Sequence, residues 1–200
     1  MDKVWYQNER KKLQEVGHNS KLCELEMNYS PKNIKLLKNI PNSHFLFHET
    51  LELLGYKFFG TAYVPPCDEW AFMLEEEERA QKFAEIPSDT DILITHAAPY
   101  DLLDGPQDKS IPRTLDGCHI LRHEVLNRIK PLYHCIGHTH DGYGQMVENG
   151  IHFQNACIVN EEYQVENDPI WFELPMKRAE NMAFMWKFFK NSREMHHSSS

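Results

Sequence analysis

Two stretches of the sequence decide the fold: Ile92-Leu93-Ile94-Thr95-His96-Ala97-Ala98-Pro99 and Leu132-Tyr133-His134-Cys135-Ile136-Gly137-His138-Thr139-His140. Each begins as a short run rich in apolar and β-branched residues and is then interrupted by proline or glycine, which is typical of a buried strand. The carboxyl ends of strands are where α/β sheets expose functional groups, and His96, His138 and His140 occupy that position. The two stretches therefore predict a sheet that carries three histidines at one edge.

Imidazole chemistry explains why histidine suits this position. Neutral imidazole binds Zn, Fe, Mn-class and Cu ions. His138 and His140 are two residues apart beside a glycine turn, so they can face one ion or two adjacent ions. For any single one of the twelve histidines the alternative is an ordinary loop residue, but the paired motifs favour a metal site. We therefore predict His96, His138 and His140 as metal ligands.

Other polar residues lie near these motifs in the sequence. Asp141 and Tyr143 directly follow His140, and neighbours of this kind commonly orient metal ligands or contact the substrate. His119 and His123 are four apart on a predicted helix but lack the H-E-x-x-H order of zinc proteases. The acids of the loop after His96, which are Asp101, Asp104 and Asp108, are expected to be solvated.

The same motifs resemble a known family. Thr95-His96-Ala97-Ala98-Pro99 and Gly137-His138-Thr139-His140 look like the last two signature blocks of the calcineurin-like metallophosphoesterases. The resemblance covers roughly residues 30 to 175 and is strongest to the small metallophosphoesterase-domain proteins of that superfamily. The stretches that carry it are residues 60–65, 91–99, 117–118, 128–144, 153–157 and 167–175.

The resemblance implies a metal site and a mechanism. An intact relative is expected to hold two ions bridged by an aspartate and a hydroxide that attacks phosphorus in line. His96 and His138 match ligands of one ion, and His140 matches a ligand of the other. Asn155 lies in a matching stretch, and we group it with Asp141 and Tyr143 as a residue that orients ligands or contacts substrate.

Three blocks of the family pattern do not occur in this sequence. They are Asp-x-His, the Gly-Asp that supplies the bridging aspartate, and Gly-Asn-His-Asp/Glu; Gly17-His18-Asn19 has the wrong order. By the family's spacing, Met1 falls close behind the last of these blocks. We therefore expect the C-terminal portion of a phosphoesterase that binds at most one ion, chosen from Mn, Fe and Zn.

The predicted fold class is α/β, a metallophosphoesterase-type β-sandwich flanked by helices with its N-terminal part missing. Residues 1–175 are assigned to the phosphoesterase domain, and residues 176–200 to a C-terminal helix and a disordered tail. Helices are predicted at 3–16, 31–39, 75–86 and 117–129, and strands at 44–49, 51–54, 56–59, 91–95, 132–136, 144–147, 151–154 and 170–174. Asn149-Gly150 predicts the turn of a hairpin.

Composition limits the classes of partner. With 200 residues, 41% of them hydrophobic, the chain can build one sizeable core. A net charge of -9 argues against general nucleic-acid binding and against an anionic membrane surface. Five cysteines without a C-x-x-C pair, together with no signal peptide or long apolar span, favour a cytoplasmic protein.

These observations leave more than one function open. The first is a metal-dependent phosphoesterase that acts on a small phosphate ester or nucleotide, weakly active or inactive as given. The second is a non-catalytic binding or regulatory isoform that retains the phosphoesterase scaffold, and the third is a mononuclear metal-binding protein. Removal of the first strands of a sandwich exposes strand edges, so we also expect an oligomer formed through them.

Overall fold

The computed structural model describes residues 39–41, 43–66, 72–106, 117–175 and 177. Strands and helices alternate along these residues, which confirms the α/β class. No helix in them has the length and apolar character that crossing a membrane requires. In chain order the elements are β1 (Glu49–Leu53), β2 (Tyr56–Thr61), α1 (Glu76–Ala84), β3 (Ile92–Thr95), α2 (His119–His123) with a π-helical continuation (Glu124–Ile129), β4 (Tyr133–Ile136), a 3-10 turn (His140–Gly142), β5 (Gly144–Glu148) and β6 (Ile151–Asn155).

The six described strands form one mixed sheet in the order β1-β2-β3-β4-β6-β5. Strands β2, β3, β4 and β6 are parallel, and β1 and β5 pair with their neighbours in the antiparallel sense. The four parallel strands therefore end at the same edge of the sheet. His96 follows β3 and His138 follows β4, so the two histidines leave adjacent strands at that edge.

Helices α1 and α2 supply apolar side chains to the hydrophobic core. Phe83 of α1 and Leu121 of α2 meet Leu93 and Phe153 of the sheet, and all four are fully buried. The guanidinium of Arg128 donates to the carbonyl oxygens of Phe83 (2.8 Å) and Ile86 (2.6 Å), so it satisfies backbone acceptors at the end of α1. The π-helical segment ends at Lys130, whose backbone is left-handed and whose N–H bonds the carbonyl five residues earlier.

The segment that follows residue 169 does not join the sheet as a strand. The ring of Phe172 stacks on Tyr133 of β4 at 4.0 Å between centroids, and the Tyr56 hydroxyl donates to the carbonyl of Pro175. A segment that lies on the side chains of a sheet cannot also pair with its edge. The strand predicted at 170–174 is therefore wrong.

Other predictions have mixed outcomes. The hairpin is confirmed, because Asn149 and Gly150 both adopt positive φ (51° and 78°) between β5 and β6. The strand predicted at 44–49 is wrong: residues 43–48 are irregular, and His48 has a φ of 52° that breaks an extended path. The helix predicted at 3–16, most of that at 31–39, and the C-terminal helix and tail assigned to 176–200, except residue 177, lie outside the described residues. The acidic run 75–78 is exposed.

The loops at the carboxyl edge are held together by one buried side chain. Asn155, at the end of β6, is fully buried, and its amide nitrogen donates to the carbonyl oxygens of Leu103 (3.1 Å) and Thr139 (2.8 Å). Its carbonyl oxygen accepts the N–H of Cys157 at 3.1 Å. Gly142 packs so closely here that a Cβ atom would lie 2.2 Å from the Leu103 oxygen. The loops after β3, β4 and β6 are thus fixed relative to one another.

A second buried side chain supports the turn after β3. His134 of β4 is fully buried, and its Nε2 lies 2.8 Å from the Thr95 hydroxyl, which donates to the carbonyl of Ala97 at 2.6 Å. Because the Thr95 hydroxyl donates its proton to the Ala97 carbonyl oxygen, it can only accept from His134. Nε2 of His134 therefore carries the imidazole proton and donates it to the Thr95 hydroxyl oxygen. Burial lowers the pKa of His134 to about 3, so the ring is neutral in the folded chain at neutral pH.

We predict that Asn155→Asp destabilises the fold strongly. The replaced nitrogen would become an oxygen that faces two carbonyl oxygens, and each buried group left unsatisfied costs about 1–3 kcal/mol. Urea denaturation at pH 7 should therefore show a loss of about 2–5 kcal/mol in the free energy of unfolding. Asn167→Asp is the matched control, because the partly buried Asn167 donates a single bond to the Cys157 carbonyl. An equal loss in both variants would contradict the role given to Asn155.

We also predict that His134 makes the fold sensitive to acid. The unfolded chain takes up a proton at this residue near pH 6.5, whereas the folded chain does so only near pH 3. The stabilisation from the neutral buried ring is complete above pH 6.5 and is lost as the pH falls towards 3, at about 1.4 kcal/mol per pH unit. The free energy of unfolding of His134→Leu should fall less steeply between pH 6.5 and 4.5. Identical slopes for the two chains would contradict this assignment.

Candidate functional site

Two of the three predicted ligands form a pair at the edge of the sheet. The ring centroids of His96 and His138 are 4.6 Å apart, with 42° between the ring planes. The turn after β3 presents His96, and its N–H bonds the Thr61 carbonyl of β2 at 3.3 Å. His138 has a left-handed backbone with φ 68°, which is uncommon for a residue other than glycine and is often found at functional sites. His96 is exposed and His138 is half-buried, so the pair is open to a ligand.

The surroundings of His96 favour its uncharged form. Desolvation lowers the pKa of His96, and the neighbouring His138 lowers it further because two positive rings at this distance repel each other. Neutral imidazole is the form that coordinates a metal ion, since the protonated ring has no free lone pair. The lowered pKa of His96 therefore favours the form of this residue that metal binding requires.

His140 lies apart from this pair in its contacts. It begins the 3-10 turn after β4, and its ring meets the ring of Tyr163 edge-on, with centroids 4.9 Å apart and planes at 88°. The structure thus brings His96 and His138 together and places His140 against a different partner. The assignment of all three as ligands stays a prediction.

The residues grouped with the ligands have different roles in the structure. Asp141 is exposed. The hydroxyl of Tyr143 donates to the Asp168 carbonyl at 2.9 Å, so this side chain ties the segment after β6 to the histidine loop. Asn155 has both polar ends occupied by backbone groups. The geometry places Tyr143 and Asn155 as supports of the loops.

The His96–His138 pair can supply two ligands to one ion. Within the described ranges, no group of three or more His, Cys, Asp or Glu side chains is placed to hold a metal ion. His119 is stacked on Tyr100 at 3.8 Å, and His123 lies 3.8 Å from the Glu124 carboxylate, so they form no second pair. In this part of the chain there is accordingly no bridged two-ion centre.

One acidic residue of the loop after His96 is buried, although the sequence predicts that it is solvated. Asp104 was expected to be solvated, but its side chain is buried, and one carboxylate oxygen accepts the N–H groups of Asp101 (2.9 Å) and Gly117 (3.2 Å). The expectation is wrong because this loop folds back on itself, and the carboxylate satisfies backbone donors that the fold buries. Asp108 lies outside the described residues.

Sequence reasoning missed two residues of this region. The Cys157 thiol lies beside His138: burial raises its pKa, and hydrogen bonds from the backbone N–H groups of Val159 and His138 oppose that rise. Tyr163 covers His140, as described above. A usable signal existed for Cys157, because it follows β6, the parallel neighbour of β4. No local pattern marks Tyr163, because an irregular loop brings it to the site.

Comparisons with known proteins agree with the sequence motifs. No family model matches the chain. Two UPF0046 proteins of Caenorhabditis elegans are 33% and 32% identical to it over 141 and 138 residues, which are 68% and 69% of this chain and 34% and 46% of those proteins. Metallophosphoesterase domain-containing protein 1 of Homo sapiens is 31% identical over 152 residues, 74% of this chain and 45% of that protein.

The chain spans about a third to a half of the length of these curated relatives. The matched part covers more than two thirds of this chain, and the human relative bears the metallophosphoesterase name that the two histidine motifs predict. These homologues support the placement of the chain in the metallophosphoesterase-domain branch.

Proposed function

We propose that this chain is a metal-dependent phosphoesterase of its family in which His96 and His138 bind one divalent ion and, through it, the phosphate of a small ester or nucleotide. The observation that carries the proposal is the imidazole pair, 4.6 Å apart at the ends of two neighbouring parallel strands. The names of the human and mouse relatives support the class of activity.

The chemistry divides between the ion and the protein. A bound Mn, Fe or Zn ion would polarise the phosphate and lower the pKa of a coordinated water. The protein contributes the two imidazoles of His96 and His138, on loops that Asn155 holds in place. The acidic chain, with a net charge of -9, does not attract phosphate by itself, so binding should depend on the metal.

One observation favours a binding role as the second candidate. Among the described residues, no carboxylate joins His96 and His138 in a group that could hold a metal ion. A carboxylate that bridges two ions, and so holds a hydroxide between them, is therefore not found in this part of the chain. Hydrolysis by one ion on two imidazoles is expected to be slow. A non-catalytic binding or regulatory protein on the same scaffold would need only this geometry.

The cysteines support a reducing, cytoplasmic location in this proposal. Among the described residues, Cys118, Cys135 and Cys157 are free thiols. Burial raises the pKa of Cys135 to about 11, so this thiol is protonated at neutral pH and resists oxidation.

We predict that Mn or Zn binds with at most about one ion per chain and that His138→Ala lowers the affinity by at least tenfold. The reason is that loss of one of two ligands leaves a single imidazole. His119→Ala is the matched control, because His119 is an exposed histidine stacked on a tyrosine outside the pair. Isothermal titration calorimetry measures both quantities. Equal effects of the two substitutions would count against the site.

We further predict that phosphate binding is metal-dependent and that hydrolysis is weak. With Mn present, the rate on p-nitrophenyl phosphate should lie close to that of a His138→Ala His140→Ala double variant. Inorganic phosphate should bind the metal-loaded chain and not the metal-free chain, as measured by calorimetry. Rapid turnover that disappears in His96→Ala would show that a further residue completes the site. It would contradict the proposal that one ion on two imidazoles, without a bridging carboxylate, hydrolyses esters only weakly.

A further inference from the structure

We propose that residues 178–190 form an amphipathic helix that packs on the face of the sheet opposite α1 and α2, over Ile94 of β3. This docking surface involves no metal ion. Two observations carry the proposal. The described residues leave an apolar strip open on this face, and the segment that ends at Lys177 brings the chain to the same face.

The open strip consists of Ile94 and Cys135 and lies in the middle of the sheet. Strand β3 has parallel neighbours on both sides, and strands of this kind normally bury both faces. Leu93 points into the core under α1 and α2, so Ile94 points to the opposite face, where 40% of it is exposed. Cys135 of β4 is the partner of Ile94 in register and is only partly buried. The described residues therefore leave an apolar strip without full cover on central strands.

Other side chains cover this face on two sides of the strip. Gly60 of β2 is the other partner of Ile94 in register, and Leu46 packs so closely over it that a Cβ atom at Gly60 would lie 2.5 Å from the Leu46 Cβ. Nearer the amino-terminal edge, the ring of Phe172 stacks on Tyr133. The strip lies between these two covered regions, so it is the part of the face that is left for another element.

The chain reaches this face directly before residue 178. The Tyr56 hydroxyl donates to the Pro175 carbonyl, and the Lys177 Nζ lies 4.6 Å from the centre of the Tyr56 ring and bonds the Asp91 carboxylate. Asp91 precedes Ile94 by three residues of extended chain, which span about 10 Å. Five residues of extended chain span about 16 Å. Residue 182 can therefore reach the strip from Lys177.

The sequence after Lys177 has the pattern of a helix with an apolar side. Large apolar residues recur there at i, i+3, i+4 and i+7, the spacing that places side chains on one side of a helix. They are Met182, Met185, Trp186 and Phe189. A helix over residues 178–190 would be about 20 Å long, which is the width of about four strands spaced about 4.8 Å apart. Its apolar side is long enough to cover the strip.

The charge of the segment suits this placement. Residues 178–190 contain the cations Arg178, Lys187 and Lys190 and the single acid Glu180, whereas the whole chain has a net charge of -9. A basic helix is attracted to an acidic protein. The strip itself holds no charged residue, so docking of the apolar side buries no charge.

Thiol labelling of the full chain measures whether the strip is covered. Ile94→Cys should react with iodoacetamide about tenfold more slowly than Val165→Cys, because a covered thiol reacts only when its cover opens, whereas Val165 is 77% exposed. Adding Met185→Glu should remove this difference, since a charge on the apolar side opposes docking. Phe184→Glu is the matched control, because its position is on the opposite side of the predicted helix, and it should leave the rate unchanged. Peptide mapping by mass spectrometry assigns each labelled thiol.

Cross-linking identifies what covers the strip. In the full chain with Ile94→Cys and Met185→Cys, a short bismaleimide should join the two positions within one monomer. A link between two chains would show that a second copy covers the strip and would overturn the proposal. Labelling of Ile94→Cys as fast as that of Val165→Cys, or equal effects of Met185→Glu and Phe184→Glu, would overturn it as well.

Discussion

The buried amide of Asn155 is the interaction on which the arrangement of the candidate site depends. Its nitrogen joins the loop after His96 to the loop that carries His138 and His140, and its oxygen holds the backbone of Cys157. Parallel strands bring these loops to one edge of the sheet, but strand pairing alone leaves their tips free to separate. The fully buried Asn155 side chain, which bonds backbone groups of all three loops, keeps these tips together.

The same constraint sets the geometry of the proposed metal ligands. The loops hold the rings of His96 and His138 4.6 Å apart between centroids, and desolvation lowers the pKa of His96. In the proposed function the charge that attracts a phosphate comes from the bound ion, because the chain itself carries a net charge of -9. The ring of His140 contacts Tyr163.

The sequence was informative where the determinants are local. The strands that deliver His96 and His138 follow from short apolar runs ended by proline or glycine, and the β5–β6 turn follows from Asn149-Gly150. Prediction from the sequence failed where contacts between residues far apart in the chain determine the structure. The segment 170–174 has the composition of a strand, but Phe172 is held by stacking on Tyr133. Asp104 is buried because its carboxylate accepts backbone N–H groups of Asp101 and Gly117. Tyr163 contacts His140 although twenty-two residues lie between them in the sequence. No periodicity records such contacts.

The central claim is that one ion is held by His96 and His138. An anomalous difference map from a crystal soaked in Zn tests it most directly. We predict a single peak per chain at about 2.0–2.1 Å from a ring nitrogen of each of these two residues, with His140 outside the coordination sphere of that ion. Two peaks bridged by a side chain, or a single peak that His96 or His138 does not ligate, would contradict the account.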